Sequence, residues 1–207
     1  MVAIVDYGVG NLFSLKSSLT AIGVEAVVTS DAQALGSADR IILPGVGAFR
    51  DAAAKLRALG LDETLKALAA DGKRIMGICL GMQMLFDESL EHGCYKGLGL
   101  IPGRVVPIAD KIGPDLKIPH IGWNALNLGG KESPLFRNIK VGDCVYFVHS
   151  YCADQCDDAV IATAEYGAPI VAAVERGNVC GCQFHPEKSG EVGLNILRAF
   201  CGGEVAK

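Results

Sequence analysis

The chain has 207 residues, half of them hydrophobic and a fifth charged, so it can bury a sizeable core and is too apolar to be disordered. Mean hydropathy is +0.33, but glycines and charges break every apolar run short of the roughly 18 residues of a membrane span, and MVAIVDYGVG lacks the features of a signal peptide. A net charge of −4 with no basic cluster excludes nucleic-acid binding, and eight cysteines without a secretion signal point to free thiols in the cytoplasm.

Val2–Val5 reads as a short buried strand that ends at Asp6-Tyr7-Gly8. Leu12, Leu15, Leu19 and Ile22 then recur at helical spacing, and Gly23 stands where a helix-ending glycine belongs. Glu25–Thr29 and Arg40–Leu43 are further strands, the second stopped by Pro44-Gly45. Helices are expected over Phe49–Leu59 and Leu61–Ala70, where Leu61, Leu65 and Leu68 share a face. Arg74–Ile78 is a fourth strand running into Cys79.

This alternation predicts an α/β fold with an open, mostly parallel central sheet flanked by helices, because parallel strands need long crossovers. From about Arg104 the texture changes. Arg104–Ala109, Pro119–Leu128, Asp143–Tyr151, Ala159–Glu165, Ile170–Glu175 and Asn178–Phe184 are short runs that predict additional antiparallel strands in the second half. Ser189–Phe200 reads as a final helix with Val192, Ile196, Ala199 and Phe200 on one side. No repeat or linker interrupts the chain, so a single domain over 1–207 is expected. Cys180/Cys182 and Cys152/Cys156 have no second ligand couple at metal-site spacing, so neither metal nor cofactor is expected.

Gly77-Ile78-Cys79-Leu80-Gly81 has the G-x-nucleophile-x-G form of a nucleophile elbow, with cysteine in place of serine. The chain must reverse from strand to helix within one residue, so positions two before and two after must be small. The turn puts the sulfur at a helix start, which favours thiolate, and aims the Leu80 amide at an oxyanion formed beside it. A cysteine in an apolar stretch is otherwise a packing residue; the flanking glycines favour the nucleophile. Such a thiol needs a base held by a third group. Among four histidines, His92 lies in a charged stretch and His120 in a strand-like run. His185 ends an apolar strand, and Pro186 turns the chain so that Glu187 can reach back to the imidazole.

GICLGMQ (77–83) and QFHPEKS (183–189), with Pro44-Gly45-Val46-Gly47 and His149-Ser150-Tyr151, resemble the motifs of the class I (triad-type) glutamine amidotransferases. DYGVGNL, PGVGAF, CLGMQMLF, PHIGWN, YFVHSY and FHPEKSG are similar to its histidine-pathway branch, and the resemblance runs from Ile4 to about Phe200. It implies that Cys79 attacks the carboxamide of L-glutamine to form a glutamyl thioester, with His185 as general acid and base and Glu187 holding the ring. It implies an oxyanion hole from the Leu80 amide and an amide of the loop holding Val46 and Gly47. Gly45, Gly47, Gln83, His149, Ser150 and Tyr151 would bind substrate. The partner implied is a cyclase subunit with a (βα)8 barrel, forming a heterodimer that channels ammonia. Asn11, Trp123 and Lys188 would lie at that interface, although the residues alone also allow a helix cap, a core tryptophan and a surface lysine. Glutaminase components of anthranilate or pyridoxal phosphate synthesis, and a non-catalytic subunit on the same fold, are the alternatives.

Overall fold

The computed structural model describes residues 1–128 and 131–202; the remainder of the expected 1–207 domain lies outside the described residues. The first half alternates β1 (Val2–Val5), α1 (Leu12–Ala21), β2 (Ala26–Thr29), α2 (Ala32–Ser37), β3 (Arg40–Leu43), α3 (Phe49–Ala58), α4 (Leu61–Ala70), β4 (Arg74–Ile78) and the one-turn α5 (Leu80–Gln83). Two short strands follow, β5 (Glu88–Ser89) and β6 (Tyr95–Lys96). The strand-rich half holds β7 (Arg104–Pro107), β8 (His120–Leu128), β9 (Cys144–His149), β10 (Tyr151–Asp154), β11 (Val160–Glu165), β12 (Pro169–Arg176) and β13 (Val179–Cys182), before α6 (Gly190–Phe200).

Among the described residues, nine strands form one sheet in the order β2-β1-β3-β4-β13-β12-β11-β8-β9. Pairing is parallel from β2 to β13 and antiparallel from β13 to β9. A second sheet has the order β10-β7-β5-β6.

Alternation along β1 explains the high hydropathy. Ala3 and Val5 join one core with Leu35, Phe49, Leu56 and Leu65 of the α2–α4 layer. Val2 and Ile4 join the other with Leu15 and Leu19 of α1 and Ile196 and Leu197 of α6. A parallel strand buried on both faces has no polar side to offer, and each large aliphatic side chain so buried contributes about 1.5–3 kcal/mol. Two of the surplus thiols have the same explanation. Cys180 and Cys182 are fully buried in that second core, and burial pushes the Cys180 thiol up to about 12, so these are small apolar residues rather than reactive ones.

Several expectations needed correction in detail. The run Asp143–Tyr151 is two strands, β9 and β10, separated at Ser150 and assigned to different sheets. Arg104–Ala109 ends as a strand at Pro107, where a short 3-10 turn begins, and it belongs to the smaller sheet. Helix α2 escapes periodicity because it has only six residues and one buried position, Leu35. Its local signal is Asp31, whose carboxylate accepts the Ala34 N–H at 2.7 Å as an N-cap.

Candidate active site

Strands β4 and β13 are parallel neighbours at the centre of the large sheet, with Ile78 opposite Cys182. The Cys79 amide donates to the Cys182 carbonyl at 2.8 Å. Cys79 therefore stands one residue past the end of β4 and His185 three past the end of β13, at the edge where open α/β sheets form ligand crevices. Sequence separation of more than a hundred residues disappears through a single register.

Cys79 has φ 54° and ψ −111°, a conformation that costs a non-glycine residue about 1–3 kcal/mol. Its surroundings hold it there. A Cβ on Gly77 would come within 2.5 Å of the Gly81 carbonyl oxygen, and one on Gly81 would sit on the Leu43 carbonyl oxygen. Gly45 is equally constrained, since its Cβ would lie 2.8 Å from the Gly81 amide nitrogen and from the Tyr7 hydroxyl. The loop after β3 is thus pressed against the elbow, and the buried Tyr7 hydroxyl fastens it by donating to the Pro44 carbonyl at 2.7 Å. Helix α5 is only one turn, so its dipole is small. Leu80, its first residue, still carries an N–H with no intrahelical acceptor.

His185 and Glu187 form a buried pair, Nδ1 to Oε1 at 2.8 Å, with side chains 3% and 4% exposed. Pro186 opens the 3-10 turn that folds Glu187 back. The loop is bolted to β9, because the Ser189 hydroxyl donates to the His185 carbonyl at 2.6 Å and accepts the Tyr146 N–H at 3.0 Å. Burial disfavours the imidazolium, but Cys79 and Glu187 outweigh it and push the ring up to about 9. His185 Nε2 and Glu187 Oε2 are buried without a hydrogen-bond partner. Thiol and ring interact without hydrogen-bond geometry, as resting catalytic pairs often do before substrate arrives.

A cavity of about 400 Å³ opens beside the sulfur, large enough for an amino acid. Val46, Gly47, Leu80 and Gln83 line it, as do His149, Ser150, Tyr151 and Lys188. Gly47 has φ 97°, which keeps that peptide in a conformation open to glycine alone. Gln83 is buried, and its amide nitrogen is already engaged by the Tyr151 carbonyl at 3.1 Å and the Gln183 carbonyl at 3.0 Å. Only its oxygen remains to face a ligand. His149 is neutral: burial pulls it down to about 4 against the opposing Tyr151 carbonyl. That carbonyl can only accept, so His149 Nδ1 carries the proton at 2.8 Å from it. Nε2 then accepts from His120 Nδ1 at 2.9 Å.

Three residues in or around the site were not foreseen from sequence. Glu91 lines the cavity and accepts the Phe49 N–H at the start of α3 at 2.6 Å; nothing in its charged surroundings marked it. Gln183 lies directly behind the Cys79 sulfur, and Tyr7 beneath the loop. For these two the available signal was their place inside the quoted motifs QFHPEKS and DYGVGNL.

The expected interface residues behave differently from one another. Asn11 caps α1, its side-chain oxygen accepting the Ser14 N–H at 3.3 Å. Trp123 is 58% exposed, so it is not a core tryptophan. It packs edge-on against Tyr146 at 6.1 Å, over which Lys188 Nζ sits at 5.7 Å. Ile121, on the same face of β8, is 57% exposed, and Phe13 of α1 is 83% exposed.

An elbow cysteine, a carboxylate-held histidine just past the neighbouring strand and a glycine loop pressed against the elbow are the parts of a thiol amidohydrolase. The glutamine amidotransferase class-I model matches residues 3–201, and the chain belongs to that family. Its relatives include proteins named imidazole glycerol phosphate synthase subunit HisH. That of Methanothermobacter thermautotrophicus is 50% identical over 200 residues, covering 97% of each chain. That of Geobacillus kaustophilus is 48% identical over 205 residues, covering 98% of this chain and 96% of its own. Solved structures share the fold at lower identity. A glutamine amidotransferase crystal structure superposes with a TM-score of 0.76 at 20% identity over 98% of both chains. The Thermotoga maritima PurLQS structure gives 0.76 at 22% over 97% of both.

Proposed function

We propose that this chain is the glutaminase subunit of an imidazole glycerol phosphate synthase, one class-I domain over 1–207 that works in the cytoplasm as a heterodimer with a (βα)8 cyclase. The observation that carries the chemistry is the strained Cys79 at the end of β4 beside the buried His185–Glu187 pair at the end of β13, facing a cavity. The kinship with proteins of that name supports the choice of pathway.

In the first step the Cys79 sulfur, as the thiolate whose proton His185 Nε2 holds, attacks the carboxamide carbon of L-glutamine. The tetrahedral oxyanion rests on the Leu80 amide and on an amide of the loop at Val46 and Gly47. Collapse breaks the C–N bond, His185 protonates the departing nitrogen, and a glutamyl thioester remains. Water, deprotonated by His185, then attacks the thioester, and glutamate leaves as the sulfur departs as thiolate with the proton on His185. Glu187 keeps the imidazole in the tautomer whose Nε2 can do this. Glu91 meets the α-ammonium of glutamine by charge, while the Gln83 oxygen and the His149-Ser150-Tyr151 segment complete the pocket.

Ammonia leaves for the cyclase, which joins it to an aminoimidazole carboxamide nucleotide and yields imidazole glycerol phosphate and aminoimidazole carboxamide ribotide. Trp123, Ile121 and Lys188 supply an apolar, aromatic patch with a cation at the mouth of the site, and Asn11 stands at the head of α1 near Phe13. Amide-15N glutamine supplied to the complex tests the reading. Labelled ammonia must appear with wild-type chain and vanish with Cys79→Ala; undiminished release from Cys79→Ala rejects the mechanism.

A further inference from the structure

We infer that Gln183 is a catalytic residue of this site, donating a side-chain N–H to the Cys79 sulfur and stabilising it as the thiolate. Gln183 is completely buried. Its Nε2 lies 3.6 Å from Cys79 Sγ, and its Oε1 accepts from Gln83 Nε2 at 3.0 Å.

Which end of that amide faces the sulfur is decided by the network. The Tyr151 carbonyl can only accept, and Gln83 Nε2 donates to it at 3.1 Å. That sets the Gln83 amide, whose second N–H then requires an acceptor, the Gln183 oxygen. The Gln183 NH2 group is left pointing at the sulfur. Turning Gln183 over would oppose two NH2 groups and aim a carbonyl at a developing anion. The polarity therefore runs one way, from a backbone carbonyl through two amides to the nucleophile.

Besides the His185 ring, the sulfur also faces the Val148 carbonyl at 4.0 Å. An S–H has an acceptor there and a thiolate has a donor in Gln183, so the two states of the sulfur are each provided for. His185 is free to take the proton because the anion it leaves behind is already hydrogen-bonded. Gln183 acts on the sulfur directly and reaches the cavity through Gln83, which lines it.

This inference rests on Cys79 being the nucleophile and is tested apart from turnover. The isolated chain is alkylated with iodoacetamide across pH, and modification of the Cys79 peptide is followed by mass spectrometry, since Cys94 and Cys144 are exposed. In Gln183→Met the midpoint of the profile is expected to move up by about one pH unit, the equivalent of one lost hydrogen bond. In the complex kcat should fall about tenfold, with a smaller change in KM passed on through Gln83. Gln183→Glu, of the same shape but with an acceptor in place of the donor, should move the midpoint further. Profiles superimposable on wild type in folded variants overturn the inference. Should neither variant fold, the side-chain amide resonances of Gln183 in the wild-type chain must titrate with the alkylation midpoint, and a pH-independent signal overturns it. Ammonia release from Cys79→Ala would reject the glutaminase reading while leaving the alkylation result to stand or fall by itself.

Discussion

A single residue, Cys79, concentrates the conflict between stability and chemistry in this chain. It occupies a backbone conformation suited to glycine, whereas Gly77, Gly81 and Gly45 around it leave no room for a methyl group. Cys79→Gly should therefore lose all ammonia release yet melt no lower than wild type, because strain is relieved. Gly81→Ala should cost about 2–4 kcal/mol or displace the elbow. Thermal melts of the two variants side by side check this, and a lower melting temperature for Cys79→Gly contradicts the strain. Two histidines shape the pH profile of stability. Unfolded, each titrates near 6.5. Cys79 and Glu187 overcome burial to raise His185 to about 9, so its contribution is complete below about 6.5 and fades as pH rises through 9. Burial lowers His149 to about 4, so its contribution is complete above about 6.5 and fades as pH falls through 4. Stability should peak near neutrality, and Glu187→Gln should flatten the alkaline limb in melts taken from pH 4 to 10. An unchanged limb would mean that the pair is not its source.

At the scale of elements, adjacency in the sheet makes the site. β4 and β13 end side by side, and whatever follows them must meet. The β8–β9 pair does the same on the outer face, where register places Trp123 opposite Tyr146. Ile121 and Trp123 point outward from an antiparallel strand whose other face holds the buried His120 and Leu126, and Phe13 projects from α1. Exposed aromatics with a nearby cation are the composition of binding hot spots. Trp123→Ala should weaken docking of the cyclase by about 2 kcal/mol, measured by calorimetry, while the isolated chain keeps its melting temperature. Asn11→Ala should instead lower helix stability by about 0.5–2 kcal/mol, the usual loss of an N-cap. Unaltered affinity in Trp123→Ala would move the interface elsewhere.

For the whole molecule, the proposed partnership predicts that glutamine hydrolysis by the isolated chain is slow and rises strongly when the cyclase and its nucleotide bind, since docking favours the competent form of the glycine loop. A coupled glutamate assay with and without partner measures it. Co-purification with a protein that is not a (βα)8 barrel would reject the pathway while leaving the thiol chemistry intact.

Local properties were legible in the sequence, because they depend on neighbours in the chain. Strand-helix alternation, the glycine spacing around Cys79 and the turn between His185 and Glu187 all follow from residues within a few positions of one another. The family motifs carried the reading further, to Val46, Gly47 and Gln83. Contacts between distant segments were not legible. That Gln183 stands behind the sulfur, that Glu91 enters the cavity and that Asp143–Tyr151 divides between two sheets depend on register and on packing across a hundred residues. The sequence by itself determined the two-sided core and the residues able to do the chemistry. Tertiary structure decided their protonation, orientation and reach, because burial and the direction of a hydrogen bond exist only once the strands are paired.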